Sequence, residues 1–476
     1  MLFNSIEFGV FLIVVFLLYW FVFNRNLRIQ NTFLLISSYF FYGWWDWRFL
    51  ILIFISSVTD YFVGRAMYKA EGARRKWLLY LSLGVNLGML GFFKYYNFFV
   101  ESFVEAYTFL GASLEVDRLN IILPVGISFY TFQTLSYSLD IYKDRLKPTD
   151  NFISFLGFVS FFPQLVAGPI ERARRLLPQF EKPRVFDGVK ARDGMRQILW
   201  GLFKKVVVAD NCALLGYFIY HSAENYSGST ILMAFMLIGI HVYADFSGYS
   251  DIAIGTARLF GFRLSKNFNF PYFAKSIPEL WRKWHISLTT WFTDYIFIPM
   301  TLRAKKRTNF VKFRNTVILF TLIGLWHGAS WSFVLFGFMN GLMFFRSIYF
   351  KDFSLAQVIG IPDDNYILNT MRRFQTFVLF VVASAFFPNH LMHGIESLGK
   401  IFSFSLFTFP QHLSFFLIFI ISSCFIVEWF QRDKEHGLDF TGLILPQWKR
   451  YAIYSAVIFG IFLLKAPKTD FIYFQF

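Results

Sequence analysis

Cysteine is almost missing from this chain. Cys212 and Cys424 are the two in 476 residues; both lie in or beside apolar runs outside any metal-ligand spacing, so neither a disulfide framework nor a zinc site is implied. Charge is scarce too, at 16% of residues against 56% hydrophobic. A water-facing surface of ordinary polarity cannot be assembled from that composition, which excludes a soluble globular protein. There is no phosphate-cradling glycine loop of the Walker type and no nucleophile-elbow serine. Residues 1–8 hold no basic side chain, and no small-residue cleavage site follows the apolar run up to Phe23. This start is expected to be a retained transmembrane helix and not a signal peptide.

What is abundant is phenylalanine, at 68 residues with 24 Tyr and 13 Trp, which suits a lipid-facing exterior and interfacial belts. The formal charge of +16 would suit nucleic acid if it lay along one face. It comes instead in short clusters between apolar runs, the pattern of cytoplasmic loops. The expected fold is all-α: a polytopic membrane protein, one domain over residues 1–476, with about 11–13 embedded helices, some re-entrant or interfacial, around a central polar cavity or funnel.

Along the chain, residues 9–23 are apolar and Arg25 and Arg28 follow at once, placing the N-terminus outside. Residues 33–55 are apolar but interrupted by Gly43-Trp44-Trp45-Asp46-Trp47-Arg48. A basic loop from Arg65 to Lys76 precedes a span over 77–99. Residues 119–142 carry Ser128, Tyr130, Thr131, Gln133, Thr134, Ser136 and Tyr137, too polar to face lipid, so this helix is expected to line a cavity. Pro163, Gly168 and Pro169 argue against a through-going helix over 162–172 and for a re-entrant segment, followed by a basic amphipathic stretch to Lys182. Helices are expected over 194–220 and 230–262. Further spans are expected near 374–387, 411–429 and 450–465.

Four stretches carry candidate chemistry. Residues 315–345 contain no Asp, Glu, Lys or Arg, and exceed the ~20 residues that one span needs. A break is expected at Gly328-Ala329-Ser330. A lone ionisable residue in such a run is usually functional, which makes His327 a general-base candidate. Residues 276–293 read as one amphipathic helix opened by a Ser276/Glu279 capping box and presenting His285 to apolar surroundings. His241 and Asp245 are one helical turn apart and could pair inside the bundle. His390 and His393 have helical spacing but sit beside Pro388 at a segment end, so no metal site is expected there. The loop from Arg303 to Arg314, with Lys305, Lys306 and Arg307, is free of acid; topology alone accounts for it, and phosphate binding is the sharper reading.

Together, Phe162-Pro163-Gln164-Leu165-Val166-Ala167-Gly168-Pro169-Ile170, Asp245-Phe246-Ser247-Gly248-Tyr249-Ser250-Asp251, Trp281-Arg282-Lys283-Trp284-His285-Ile286-Ser287-Leu288, Trp326-His327-Gly328 and the closing Phe471-Ile472-Tyr473-Phe474-Gln475-Phe476 resemble the membrane-bound O-acyltransferase family. The alginate O-acetyltransferase branch is the most similar. Each motif is weak alone, but five in family order are specific. Arg174-Arg175 departs from the smaller or mixed residues of that pattern.

The resemblance implies that His327 is the catalytic histidine and His285 a second required one, with Asp245, Ser247, Trp281, Trp326, Lys305, Lys306 and Arg307 as substrate-binding candidates. No bound cofactor or metal is implied. Acetyl-CoA is the expected donor, on the cytoplasmic side of a bacterial inner membrane. The acceptor is an extracytoplasmic polysaccharide, reached directly or through a partner acetyltransferase. D-alanyl transfer to teichoic acid is the alternative within the family. A transporter is the alternative outside it, but it should show paired interrupted helices in two halves, and none is visible.

Overall fold

Helices begin here where an apolar run follows a side chain that can accept from the free N–H groups of a first turn. Ser5, Asn26, Asn151, Thr308, Ser330 and Ser414 each do so. The computed structural model describes residues 1–111, 116, 119–166, 168–350, 362–387 and 391–474, and its regular structure is helical throughout. Four helical runs are long and apolar enough to cross a membrane: Trp47–Lys69, Gly72–Phe109, Gly228–Leu259 and Trp331–Tyr349. Ile6–Val22, Phe152–Leu165 and Phe415–Phe430 are apolar but shorter. Close contacts divide the chain into two compact units.

The first unit comprises residues 1–195 and 253–265. Its helices are α1 (Ile6–Leu17), α2 (Leu27–Gly43), α3 (Leu50–Lys69), α4 (Gly72–Leu90), α5 (Tyr96–Phe109), α6 (Ile127–Tyr142), α7 (Phe152–Ser160), α8 (Phe162–Leu165) and α9 (Ala173–Phe180). The interruption expected in 33–55 is real: α2 ends at Gly43, and Asp46 caps a single 3-10 turn before α3. The proline-rich stretch yields only the four-residue α8. In α9, Leu176, Leu177 and Phe180 are buried while Arg174 and Arg175 stay exposed.

The polar segment starts later than expected, at Ile127, because Gly126 takes a left-handed φ of 77°. It does avoid the surface. Several of its polar groups, however, bond to neighbouring helices, and the segment is almost wholly buried. Gln133 donates to the Phe158 carbonyl, Thr134 to Asn86 Oδ1 at 3.0 Å, and Ser138 to Asp60 at 3.0 Å. The buried Asp60 carboxylate also accepts from Ser82 and Asn86. Such a satisfied network stabilises a helix contact where water is absent.

The second unit comprises residues 196–252 and 266–476. Helix α10 (Gly188–Phe203) runs into a π-helical segment, Lys204–Ala209. Then come α11 (Asp210–His221), α12 (Gly228–Leu259), α13 (Ile277–Lys283), α14 (Ile286–Phe292), α15 (Ile298–Arg303), α16 (Asn309–His327), α17 (Trp331–Leu342) and α18 (Phe345–Tyr349). The remainder is α19 (Tyr366–Ala383), α20 (Leu391–Ile401), α21 (Phe415–Phe430) and α22 (Gln447–Leu464). At 32 residues, α12 is ~48 Å long, well over the ~30 Å of a hydrocarbon core. Most of it is buried inside the protein, including Asp245, Ser247 and Ser250.

The uncharged run folds as a hairpin of α16 and α17, broken at 328–330 as expected. Its helices touch backbone to backbone at glycine: a Cβ on Gly324 would fall on the Phe333 carbonyl oxygen, and one on Gly337 on that of Phe320. Gly337→Val should therefore separate the two helices and cost more than the ~1–3 kcal/mol usual for overpacking. The measurement is thermal unfolding in detergent; an unchanged midpoint would mean that the contact is slack.

Candidate active site

The hairpin fixes His327 by its position. It is the last residue of α16, and the carbonyl end of a helix favours positive charge on an imidazole that takes up a proton. A Cβ at the next residue, Gly328, would overlap the Phe333 ring, so only glycine lets the chain turn here. The ring is 4% exposed, and its Nδ1 shares a 3.1 Å hydrogen bond with the Tyr473 hydroxyl. Trp326 and Phe387 lie 5.2 and 6.0 Å away, centroid to centroid. Beside the ring is a chamber of about 20 Å³ walled by Phe246, Trp284, Phe336, Phe387 and Tyr473 among others. It has room for one water-sized group. The polar cavity expected around this histidine is thus a small chamber with aromatic walls.

Residues 276–293 are not one helix. The chain breaks at Trp284-His285 between α13 and α14, and His285 takes a left-handed conformation (φ 42°, ψ 52°). Non-glycine residues persist there only where their surroundings hold them. The holder is Asn267, fully buried, whose carbonyl accepts from Ile286 N at 2.8 Å and whose Oδ1 accepts from the Ser287 hydroxyl at 2.8 Å. The expected capping box is only half made. Ser276 accepts from Glu279 N, but the Glu279 carboxylate turns to Lys275 N and Lys283.

The corner drives the His285 ring inward. It has no exposed area and lies 6.1 Å from His327 and 4.6 Å from Phe246, centroid to centroid. Neither ring nitrogen has a hydrogen-bond partner among the described residues. A buried polar group left unpaired is costly, and a native structure that keeps one calls for a reason.

The His241–Asp245 pair that the spacing permits does not form. His241 Nδ1 bonds to the Ala209 carbonyl at 3.1 Å. Asp245 instead faces Lys205 Nζ at 2.8 Å and accepts from Ile472 N at 2.9 Å. Ser247 accepts from Lys204 Nζ at 2.9 Å, and that ammonium pairs with Asp251 at 2.7 Å. Charge outcompetes the neutral imidazole for the carboxylate. Of the other named positions, Trp326 stands beside both histidines. Trp281 donates to Asn340 at 3.3 Å and lines a groove of about 750 Å³ with Arg282, Lys312, Thr316 and Phe320. Lys305, Lys306 and Arg307 are exposed in the loop before α16. His393 shares a hydrogen bond with the Tyr220 carbonyl; His390 lies outside the described residues, as do Gln475 and Phe476.

Lys205 and Asn267 were not singled out from sequence, and Tyr473 only as part of the closing motif. A weak signal existed for Lys204-Lys205, two adjacent cations followed at once by an uncharged apolar stretch; Asn267 left none.

The sequence pattern that defines the membrane-bound O-acyltransferase family matches residues 143–392. The chain is 38% identical to a probable alginate O-acetylase, AlgI, of Pseudomonas syringae pv. tomato, over 79% of this chain and 71% of that protein. It is 35% identical to a peptidoglycan O-acetyltransferase of Helicobacter pylori, over 67% of this chain and 64% of that one. A teichoic acid D-alanyltransferase of Bacillus subtilis is 28% identical over 47% and 58% respectively. The chain belongs to the membrane-bound O-acyltransferase family. It is an acyltransferase, and the transporter reading falls away.

Proposed function

We propose that this enzyme transfers acetyl groups from acetyl-CoA, on the cytoplasmic side of a bacterial inner membrane, to hydroxyls of an extracytoplasmic polysaccharide, directly or through a partner acetyltransferase. The observation that carries it is His327, buried at the end of α16 with its Nδ1 anchored by Tyr473 and a second histidine 6.1 Å away. With the Nδ1 proton donated to the Tyr473 oxygen, Nε2 keeps its lone pair and can take the proton of a hydroxyl attacking the thioester carbonyl. The C–O bond forms, the C–S bond breaks, and the proton passes to the departing thiolate. Acetyl is favoured over D-alanyl by the higher identity and coverage of the O-acetylating relatives.

A donor in the 750 Å³ groove fits this scheme. The volume is in the range of small-molecule sites, and exposed Arg282 and Lys312 offer charge to phosphates. Trp281, in the groove, packs at 6.0 Å on Phe380, which lines the chamber at His327. Lys305, Lys306 and Arg307 extend the positive field, attracting ground and transition states alike. Neutralising these three should raise the apparent KM for acetyl-CoA with kcat little changed, more so at low salt. If cysteine labelling from each side shows unchanged topology and KM does not move, the loop is a topological anchor only. The function itself is tested by alkali-released acetate on envelope polysaccharide in cells with and without the gene; no difference would overturn it.

A further inference from the structure

We propose that the buried cluster of Asp210, Lys205 and Asp245 is a clamp on the C-terminal segment, and that its work is to hold the Tyr473 hydroxyl on His327. The proposal rests on the reading of His327 as the base. Lys205 has no exposed area. Its ammonium meets Asp210 at 2.7 Å, Asp245 at 2.8 Å and the Thr469 carbonyl at 3.1 Å. Both carboxylates then reach the same tail: Asp210 accepts from the Thr469 hydroxyl at 2.5 Å, and Asp245 accepts from Ile472 N at 2.9 Å. Thr469 and Ile472 are thereby fixed at both ends of a four-residue stretch. Between them Phe471 is buried against Tyr249, with centroids 4.2 Å apart. Tyr473 comes next and lies 4.6 Å from Phe246 and 3.1 Å from His327 Nδ1.

A stretch outside the long helices stays loose unless tied down, and a hydrogen bond to a base must be placed to within fractions of an ångström. The sequence builds the tie at a π-helical turn, a feature frequent at functional sites. Gly201 and Gly248 let that turn approach α12 so closely that a Cβ on either would strike the other's carbonyl oxygen. Lys205, Asp210 and Asp245 are thus positioning residues, acting through Tyr473.

The test uses the full chain in nanodiscs with 3-fluorotyrosine incorporated at position 473, in the wild type and in Lys205→Met, Asp245→Asn and Thr469→Val. Thr469→Val removes the hydroxyl that Asp210 holds, from the half-exposed tail side, so one arm of the tie is tested even if Lys205→Met does not fold. The fluorine resonance should shift and narrow in each variant, and envelope acetate in cells should fall roughly 10- to 100-fold, the scale of a misplaced catalytic contact. Lys205→Met combined with Tyr473→Phe should be no worse than Tyr473→Phe alone. An unmoved resonance in all variants overturns the clamp, as do additive losses in the double mutant. A moved resonance with unchanged acetate overturns its positioning role. Failure of the underlying reading shows separately, as full activity of His327→Ala.

Discussion

His327→Ala should fold and insert normally yet lose at least ~100-fold of its acyl transfer rate, the lower end of what a general base contributes. That is about 2.7 kcal/mol of barrier. The fold should survive because the Tyr473 hydroxyl that bonds to this side chain keeps its own place, its backbone being fixed by the tail. Packing is lost to a chamber already about 20 Å³ in size, beside the hairpin's glycine contact but not in it. The decisive measurement is alkali-released acetate on envelope polysaccharide, normalised to the amount of protein in the membrane. Near-normal acetate would remove His327 from the chemistry; loss of the protein from the membrane would make it a packing residue. His327→Gln adds a control, since an amide can still bond to Tyr473 but cannot take a proton at neutral pH.

How much of this was legible in the chain depended on distance along it. The break at Gly328-Ala329-Ser330 could be read because it is local: an uncharged run too long for one span, with small residues in the middle. The interruption at Gly43–Arg48 and the irregular backbone near Pro163 and Pro169 were readable for the same reason. The break at Trp284-His285 was not, since apolar spacing continues across it. What holds it is Asn267, some eighteen residues upstream, which accepts from the Ile286 and Ser287 N–H groups that a continuous helix would use. Asp245 follows the same pattern. Helical spacing offered His241 as its partner, while the actual partners come from residues 205 and 472. Periodicity describes one helix at a time, and the site is made of contacts between segments far apart in sequence.

His285→Phe should break the usual link between damage to a core and loss of activity. Both nitrogens of this fully buried ring lack a partner among the described residues, so an apolar ring of similar shape removes an unpaired polar group instead of creating one. It also meets Phe246, Phe268 and Trp326, with which an aromatic ring packs well. The left-handed backbone at this position suits His somewhat better than Phe, a cost set against the unpaired polar group that is removed. Thermal stability in detergent should therefore be unchanged or higher. Transfer should nonetheless fall ~100-fold or more if a ring N–H meets the oxygen that gains charge as the thioester is attacked, the loss typical of removing one such donor. A fall in kcat with the KM for acetyl-CoA unchanged would mark an interaction made in the transition state. If activity stays within a few-fold of wild type, or falls only in proportion to stability, His285 serves the corner between α13 and α14 and not the reaction.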